Sequence, residues 1–189
     1  MRRFANVVAA LGTVGVAALG SVGVASVTAV APAVAATHHA AACATNWGTN
    51  AKHRGSTSGT VATRVLAVRA GRHGCFDRLV IDLSGGPRPP FSAQYVRHIV
   101  AQGSGRVLRM RGHAFILINV RGPGGAHYPS NAVNLASVSG FTTFRQVRGA
   151  GSFERITAIG LGVRARLPFR VFELGSPTSG WRIVIDVGH

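Results

Sequence analysis

The sequence predicts an all-β fold, a β-sandwich of about nine short strands. Three observations predict it. From Val61 onward, short runs rich in Val, Ile, Phe and Thr recur at about ten-residue spacing. Clusters containing Gly and Pro separate them: SGGPRPP, QGSGR, RGPGGAHYPSN, RGAGS and GSPTSG. No stretch of helix length carries an apolar stripe of helical period.

Residues 1–36 read as a secretory leader. Arg2 and Arg3 open it, no charge occurs from Ala5 to Val30, and Ala33-Val34-Ala35 supplies small residues for cleavage. The apolar run is also long enough to span a bilayer, so an uncleaved anchor is the competing reading. Cleavage after Ala35 or Ala36 leaves about 153 residues, the size of one domain. Residues 37–60 read as a flexible linker of small and polar residues, in which Trp47 is the one side chain suited to docking on the domain.

The domain itself is expected over 61–189. Its strands are expected at 63–69, 78–83, 93–100, 107–110, 114–120, 142–148, 153–161, 169–174 and 182–187. Residues 114–120 (AFILINV) are apolar on both faces and predict a central strand. In 153–161 the alternation places Phe153, Arg155, Thr157, Ile159 and Leu161 on one face. The longest irregular segment, 122–134, holds His127, Tyr128 and Asn131, which a Gly-rich loop can present to a ligand or leave in solvent.

Charge narrows the function classes. The 21 Lys+Arg less Arg2 and Arg3 leave 19 against 5 acids, a net +14 after cleavage. Such a chain attracts polyanions in a salt-dependent way. Specific nucleic-acid binding would need basic residues interleaved with exposed aromatics, whereas Phe115, Phe153, Phe169 and Phe172 fall in strand positions. Export also removes the chain from cytoplasmic nucleic acid. Two cysteines remain, Cys43 and Cys75. In an exported chain they read as a disulfide. The competing reading is acylation of Cys43, although HHAAAC lacks Leu three residues before the cysteine.

Enzyme chemistry finds no support. The carboxylates Asp77, Asp82, Glu154, Glu173 and Asp186 are better used as partners for the excess arginine than as a general acid and base. No H-E-x-x-H or G-x-S-x-G motif occurs, so neither a metal nor a cofactor is implied.

One phrase repeats. RLVIDL begins at Arg78 and RIVIDV at Arg182, each flanking a Val-Ile centre with Arg and Asp four apart on one face, Arg78 with Asp82 and Arg182 with Asp186. Either the sandwich has internal pseudo-symmetry or two Val-rich strands match by chance. The closing stretch, PFRVFELGSPTSGWRIVIDVGH, resembles the end of the AMIN domain, and CFDRLVIDLSG resembles its opening strands. With GRHGCFDRLVIDLSG, YVRHIVAQGSGRVLRMRGHAFILINV and FRQVRGAGSFERITAIGLGVRARLPFRVFEL, the body from Val61 to His189 is similar to the AMIN-like domain of small exported actinobacterial proteins.

The resemblance implies a β-sandwich and a non-catalytic role at the cell envelope. AMIN domains localise a partner, often an amidase or an outer-membrane secretin, by binding peptidoglycan. No catalytic domain accompanies this one within the 189 residues. The expected ligand is peptidoglycan or another anionic wall polymer. Arginine forks would hold its carboxylates or phosphates, and an aromatic would stack on sugar. Candidate arginines are Arg145, Arg148, Arg155, Arg164, Arg166 and Arg170, on three consecutive strands and their turns, so several can converge on one face, but not all, since Arg145 and Arg148 differ in parity. Candidate aromatics are Tyr95, Tyr128 and Trp181. The alternative is a protein-interaction domain, docking a secreted or membrane partner at a sheet edge or at 122–134.

Overall fold

A computed structural model describes Cys43, residues 45–55 and residues 63–189. The expected leader and much of the expected linker lie outside the described residues. Eleven strands and no helix occur among the described residues. They are β1 (Lys52–Arg54), β2 (Val65–Arg72), β3 (Phe76–Leu83), β4 (Phe91–Val96), β5 (Ile99–Val100), β6 (Val107–Leu108), β7 (Ala114–Arg121), β8 (Phe144–Phe153), β9 (Ile156–Val163), β10 (Phe169–Ser176) and β11 (Gly180–Gly188).

Two antiparallel sheets make the sandwich. One has the order β1-β4-β7-β9-β8 and the other β10-β11-β3-β2. Period-2 alternation explains the facing. In β3, Asp77, Leu79, Ile81 and Leu83 are buried while Arg78, Val80 and Asp82 are partly exposed. Leu79, Ile81, Ile183 and Ile185 from one sheet meet Ile116, Ile118, Ile159 and Leu161 from the other, all fully buried. Each such side chain contributes about 1.5–3 kcal/mol by leaving water.

The repeated phrase is explained by pairing. β3 and β11 are antiparallel neighbours, with Val80 opposite Val184, Arg78 opposite Asp186 and Asp82 opposite Arg182. The register is symmetric about Val80 and Val184, so the two copies face each other across one ladder. Each is nearly the complement of the other across one ladder. Arg78 donates Nε and Nη2 to Asp186 at 2.6 and 2.9 Å, and Arg170 adds an Nε bond to Asp186 at 2.9 Å. Asp82 instead takes a two-pronged bond from Arg69 on β2, at 2.6 and 2.9 Å.

Several boundaries differ from the sequence reading. The expected linker contains β1, which pairs with Phe91–Ala93 on β4. Its sequence, KHR, has no apolar residue to signal a strand; the ladder holds it together with the Arg54–Glu173 ion pair at 3.1 Å and Lys52 over the Phe169 ring at 4.8 Å. Trp47 does dock: the Arg170 guanidinium lies over its ring at 4.5 Å, and its ring meets that of Phe76 edge-on at 5.8 Å. Cys43 and Cys75 are disulfide-bonded, with Cα atoms 5.2 Å apart. The expected strand 93–100 breaks at Arg97 and His98 into β4 and β5. The expected strand 153–161 is in fact a hairpin. Phe153 ends β8, Ile156 begins β9, and Glu154 and Arg155 form the turn with φ of 48° and 63°. Two successive positive φ values are the mark of a tight hairpin turn whose twist suits the strands.

A second, smaller core sits on the outer face of the five-stranded sheet. β5 and β6 form a hairpin whose Ile99 and Leu108 bury against Ala150 and Ala158. Gly160 on β9 makes room for it, since a Cβ there would stand 2.7 Å from the Met110 sulfur and 3.0 Å from Ile99.

Candidate functional site

The open edge of the five-stranded sheet is β8, and two segments fold over it. Residues 130–136 run along it, with Leu135 N–H donating to the Val147 carbonyl at 2.8 Å and Gly149 N–H to Ala132 at 2.9 Å. Residues 109–111, leaving the small hairpin, lie across β9. A Cβ at Gly162 would overlap the Arg111 carbonyl, so only glycine admits that backbone.

Gln146 holds the two segments apart at a fixed spacing. It is 5% exposed. Its Oε1 accepts Arg111 N–H at 2.8 Å, and its Nε2 donates to the Val133 carbonyl at 2.9 Å and to Asn134 Oδ1 at 3.3 Å. Between the segments lies a groove of two adjoining cavities, about 500 and 450 Å³. Arg111 and Asn134 line both. Arg145, Ser137 and Ser139 belong to the first, and Arg109 and Arg148 to the second.

The arginines are differently held. Arg145 Nη1 donates to the carbonyls of Phe141, Thr142 and Phe144 at 3.0–3.2 Å, so it also clamps the turn into β8. Arg148 Nη1 donates to the Arg109 carbonyl at 3.1 Å, while its Nε is buried without a partner. Arg109 and Arg111 are exposed. Asp77 fixes the approach to β8 from the other sheet: fully buried, it accepts Thr143 N–H at 2.6 Å and Phe144 N–H at 3.0 Å, and stands 3.4 Å from His189 Nε2.

No carboxylate lies within ion-pair distance of Arg109, Arg111, Arg145 or Arg148 among the described residues. Four of the five acids are committed elsewhere. Asp82 pairs with Arg69, Asp186 with Arg78 and Arg170, Glu173 with Arg54 and Arg88, and Asp77 with His189. The positive charge of the groove is therefore uncompensated from within the protein.

The six candidate arginines, of which several but not all could share a face by strand parity, lie in different places. Arg145 and Arg148 line the groove. Arg155 occupies the β8–β9 turn. Arg164 follows β9, its N–H on the Thr143 carbonyl at 2.9 Å and its Nε buried without a partner. Arg166 lies over the Tyr95 ring at 4.7 Å. Arg170 is on β10, in the other sheet, bound to Asp186. The chain changes sheets between β9 and β10, which separates positions that are close in sequence.

The aromatic candidates are packing residues. Tyr128 is 8% exposed, its hydroxyl has no partner, and burial pushes its pKa well up. Tyr95 donates to the Leu167 carbonyl at 2.7 Å and accepts Leu167 N–H at 2.9 Å; burial raises its pKa as well. Trp181 donates Nε1 to the Gly86 carbonyl at 3.0 Å and carries Arg88 over its ring at 5.4 Å. None of the three lines the groove. Sequence reasoning missed Arg109, Arg111 and Gln146. The density of arginine in RVLRMRGH was the available signal for the first two.

Compared with family models, residues 63–189 match the AMIN-like domain. The chain belongs to the AMIN-like family. It is a non-catalytic module associated with the cell envelope. No curated protein and no solved structure matches it. Among the described residues of this AMIN-like protein, no group of three or more His, Cys, Asp or Glu is arranged to hold a metal ion.

Proposed function

We propose that the protein is exported and binds an anionic cell-wall polymer, peptidoglycan foremost, in the groove beside β8. One observation carries this reading. Arg109, Arg111, Arg145 and Arg148 line two adjoining cavities and none faces a carboxylate. A guanidinium fork matches a carboxylate or phosphate with two parallel bonds, each worth about 1.5–3 kcal/mol when the partner is charged. Two cavities sharing Arg111 and Asn134 suit a ligand that repeats its anions along a chain. Asn134, Ser137 and Ser139 supply neutral donors and acceptors for sugar hydroxyls or peptide groups. The AMIN-like assignment supports an envelope ligand.

The test is co-sedimentation of the secreted protein with purified wall sacculi at low salt and at about 0.5 M salt, where exposed charges are heavily screened. An R109S/R111S variant is expected to bind about tenfold more weakly, equivalent to about 1.4 kcal/mol. An R64S/R182S variant removes the same charge from exposed positions outside the groove and is expected to bind like the parent. Equal loss in both variants would reduce the interaction to net charge and remove the groove reading.

A second reading is docking of a secreted or membrane protein. β2 is a sheet edge, and Leu66 on it is 50% exposed. Binding to one defined protein that salt leaves unchanged would favour it over the wall polymer.

A further inference from the structure

The small hairpin of β5 and β6 has two faces of different use. Ile99 and Leu108 are cross-strand partners and are 1% and 7% exposed, spent on the second core. Val100 and Val107 are the next cross-strand pair and point the opposite way, 39% and 53% exposed. At the hairpin's tip, Gln102 N–H donates to the Ala150 carbonyl at 2.6 Å. A Cβ at Gly103 would stand 3.3 Å from the Phe153 ring, and Phe153 is itself 51% exposed at the end of β8. Two neighbouring hairpin ends thus carry Val100, Val107 and Phe153 into solvent. Their backbone is pinned, so these side chains cannot fold back onto the sheet.

The charged groups on these segments are nearly all of one sign. Arg97, Arg106, Arg109 and Arg155 are exposed, and Glu154 is the acid among them. A lone exposed valine needs no explanation. A cross-strand valine pair and a phenylalanine, fixed in place and bordered by arginine, is a different surface. A polyanion in water would use the arginines, and a sugar could stack on Phe153, but it would gain nothing from the cross-strand valine pair. An anionic bilayer uses both, because phosphate headgroups meet the arginines while the interface accepts short apolar side chains.

We propose that this face, built from Val100, Val107 and Phe153 within a border of Arg97, Arg106 and Arg155, docks on an anionic phospholipid surface. It is separate from the groove, whose lining includes none of these six residues. Contact is peripheral, with side chains entering the headgroup layer and no segment crossing the bilayer.

The experiment is vesicle flotation of the secreted protein, its N-terminus verified by mass spectrometry so that no leader contributes. Vesicles are phosphatidylcholine with or without phosphatidylglycerol. The protein is expected to float only with phosphatidylglycerol. A V107S/F153S variant keeps every charge and is expected to bind about tenfold more weakly at each salt concentration. An unchanged melting temperature shows that the variant is folded. In a separate F153W variant, the added tryptophan emission is expected to shift to shorter wavelength on adding phosphatidylglycerol vesicles. Absence of flotation overturns the proposal, as does equal flotation of V107S/F153S, which would leave charge alone at work. Binding to sacculi without binding to vesicles also overturns it and leaves the groove reading standing.

Discussion

Asp186 is fully buried, yet it lies on the outward face of its sheet, because Arg78 and Arg170 close over it. Those guanidiniums in turn lie 5.4 and 5.2 Å from the Phe172 ring. Removing the carboxylate would leave two arginines facing each other over aromatic rings. Asp186→Ala is expected to lower stability by about 2–3 kcal/mol, toward the lower end for a buried pair because both arginines keep some solvent. Arg182 holds the same place in its phrase as Arg78, but the Asp82 opposite it is taken by Arg69. Arg182→Ala is therefore expected to change stability by less than about 0.5 kcal/mol. Urea unfolding of the two variants checks the contrast, and equal losses would contradict it. Tyr128 carries the opposite lesson: its buried hydroxyl has no partner. Tyr128→Phe removes an unsatisfied group and is expected to stabilise by about 1 kcal/mol at neutral pH. Because burial raises its folded pKa, the native state favours the protonated phenol. The associated stability is full below about pH 10, where unfolded tyrosine ionises, and is lost progressively above it. Thermal melts from pH 8 upward are expected to fall less steeply for Tyr128→Phe than for the parent.

The turn between β8 and β9 places two non-glycine residues, Glu154 and Arg155, at positive φ. Each costs about 1–2 kcal/mol relative to a residue at ease there. Replacing them with Asn-Gly is expected to raise stability by about 1 kcal/mol, read as a higher melting temperature with no shift in register. The same pair explains why the hairpin was not legible in the sequence. Glu-Arg carries no turn chemistry, and the alternation continued across it. β1 was illegible for another reason, since its three polar residues carry no apolar alternation and its partners, β4, Glu173 and Phe169, are distant in sequence. By contrast β3, β7 and β11 were readable, because burial on at least one face writes itself as Val and Ile. Residues 45–55 are held by several separate contacts, among them the disulfide just before them, the Trp47–Arg170 stack, the β1–β4 ladder and the Arg54–Glu173 ion pair. The disulfide spans 32 residues, so Cys43→Ser with Cys75→Ser is expected to cost about 3–4 kcal/mol by denaturant unfolding. A loss below about 1 kcal/mol would mean that the non-covalent contacts hold the segment without the disulfide.

At the scale of the molecule, the few acids are placed so that one region stays uncompensated. Asp82, Asp186 and Glu173 each meet arginine on the four-stranded sheet or at its edge, and the groove beside β8 has none. The overall charge, the sandwich and the family resemblance could be read from residue order. The groove could not, because it forms where 109–111 and 133–139 meet over β8, and that meeting depends on Gln146 and Gly162 rather than on any motif. Arg145 and Arg148 lie on β8 itself, whereas Arg170 lies in the other sheet, and sequence proximity hides that change of sheet. The most direct measurement of the central claim is an NMR titration of the isotope-labelled protein with soluble wall fragments. The account predicts saturable shifts confined to residues 109–111, 133–139 and 145–148. Shifts spread over exposed arginines throughout the surface, or centred on the edge strand β2, would contradict it.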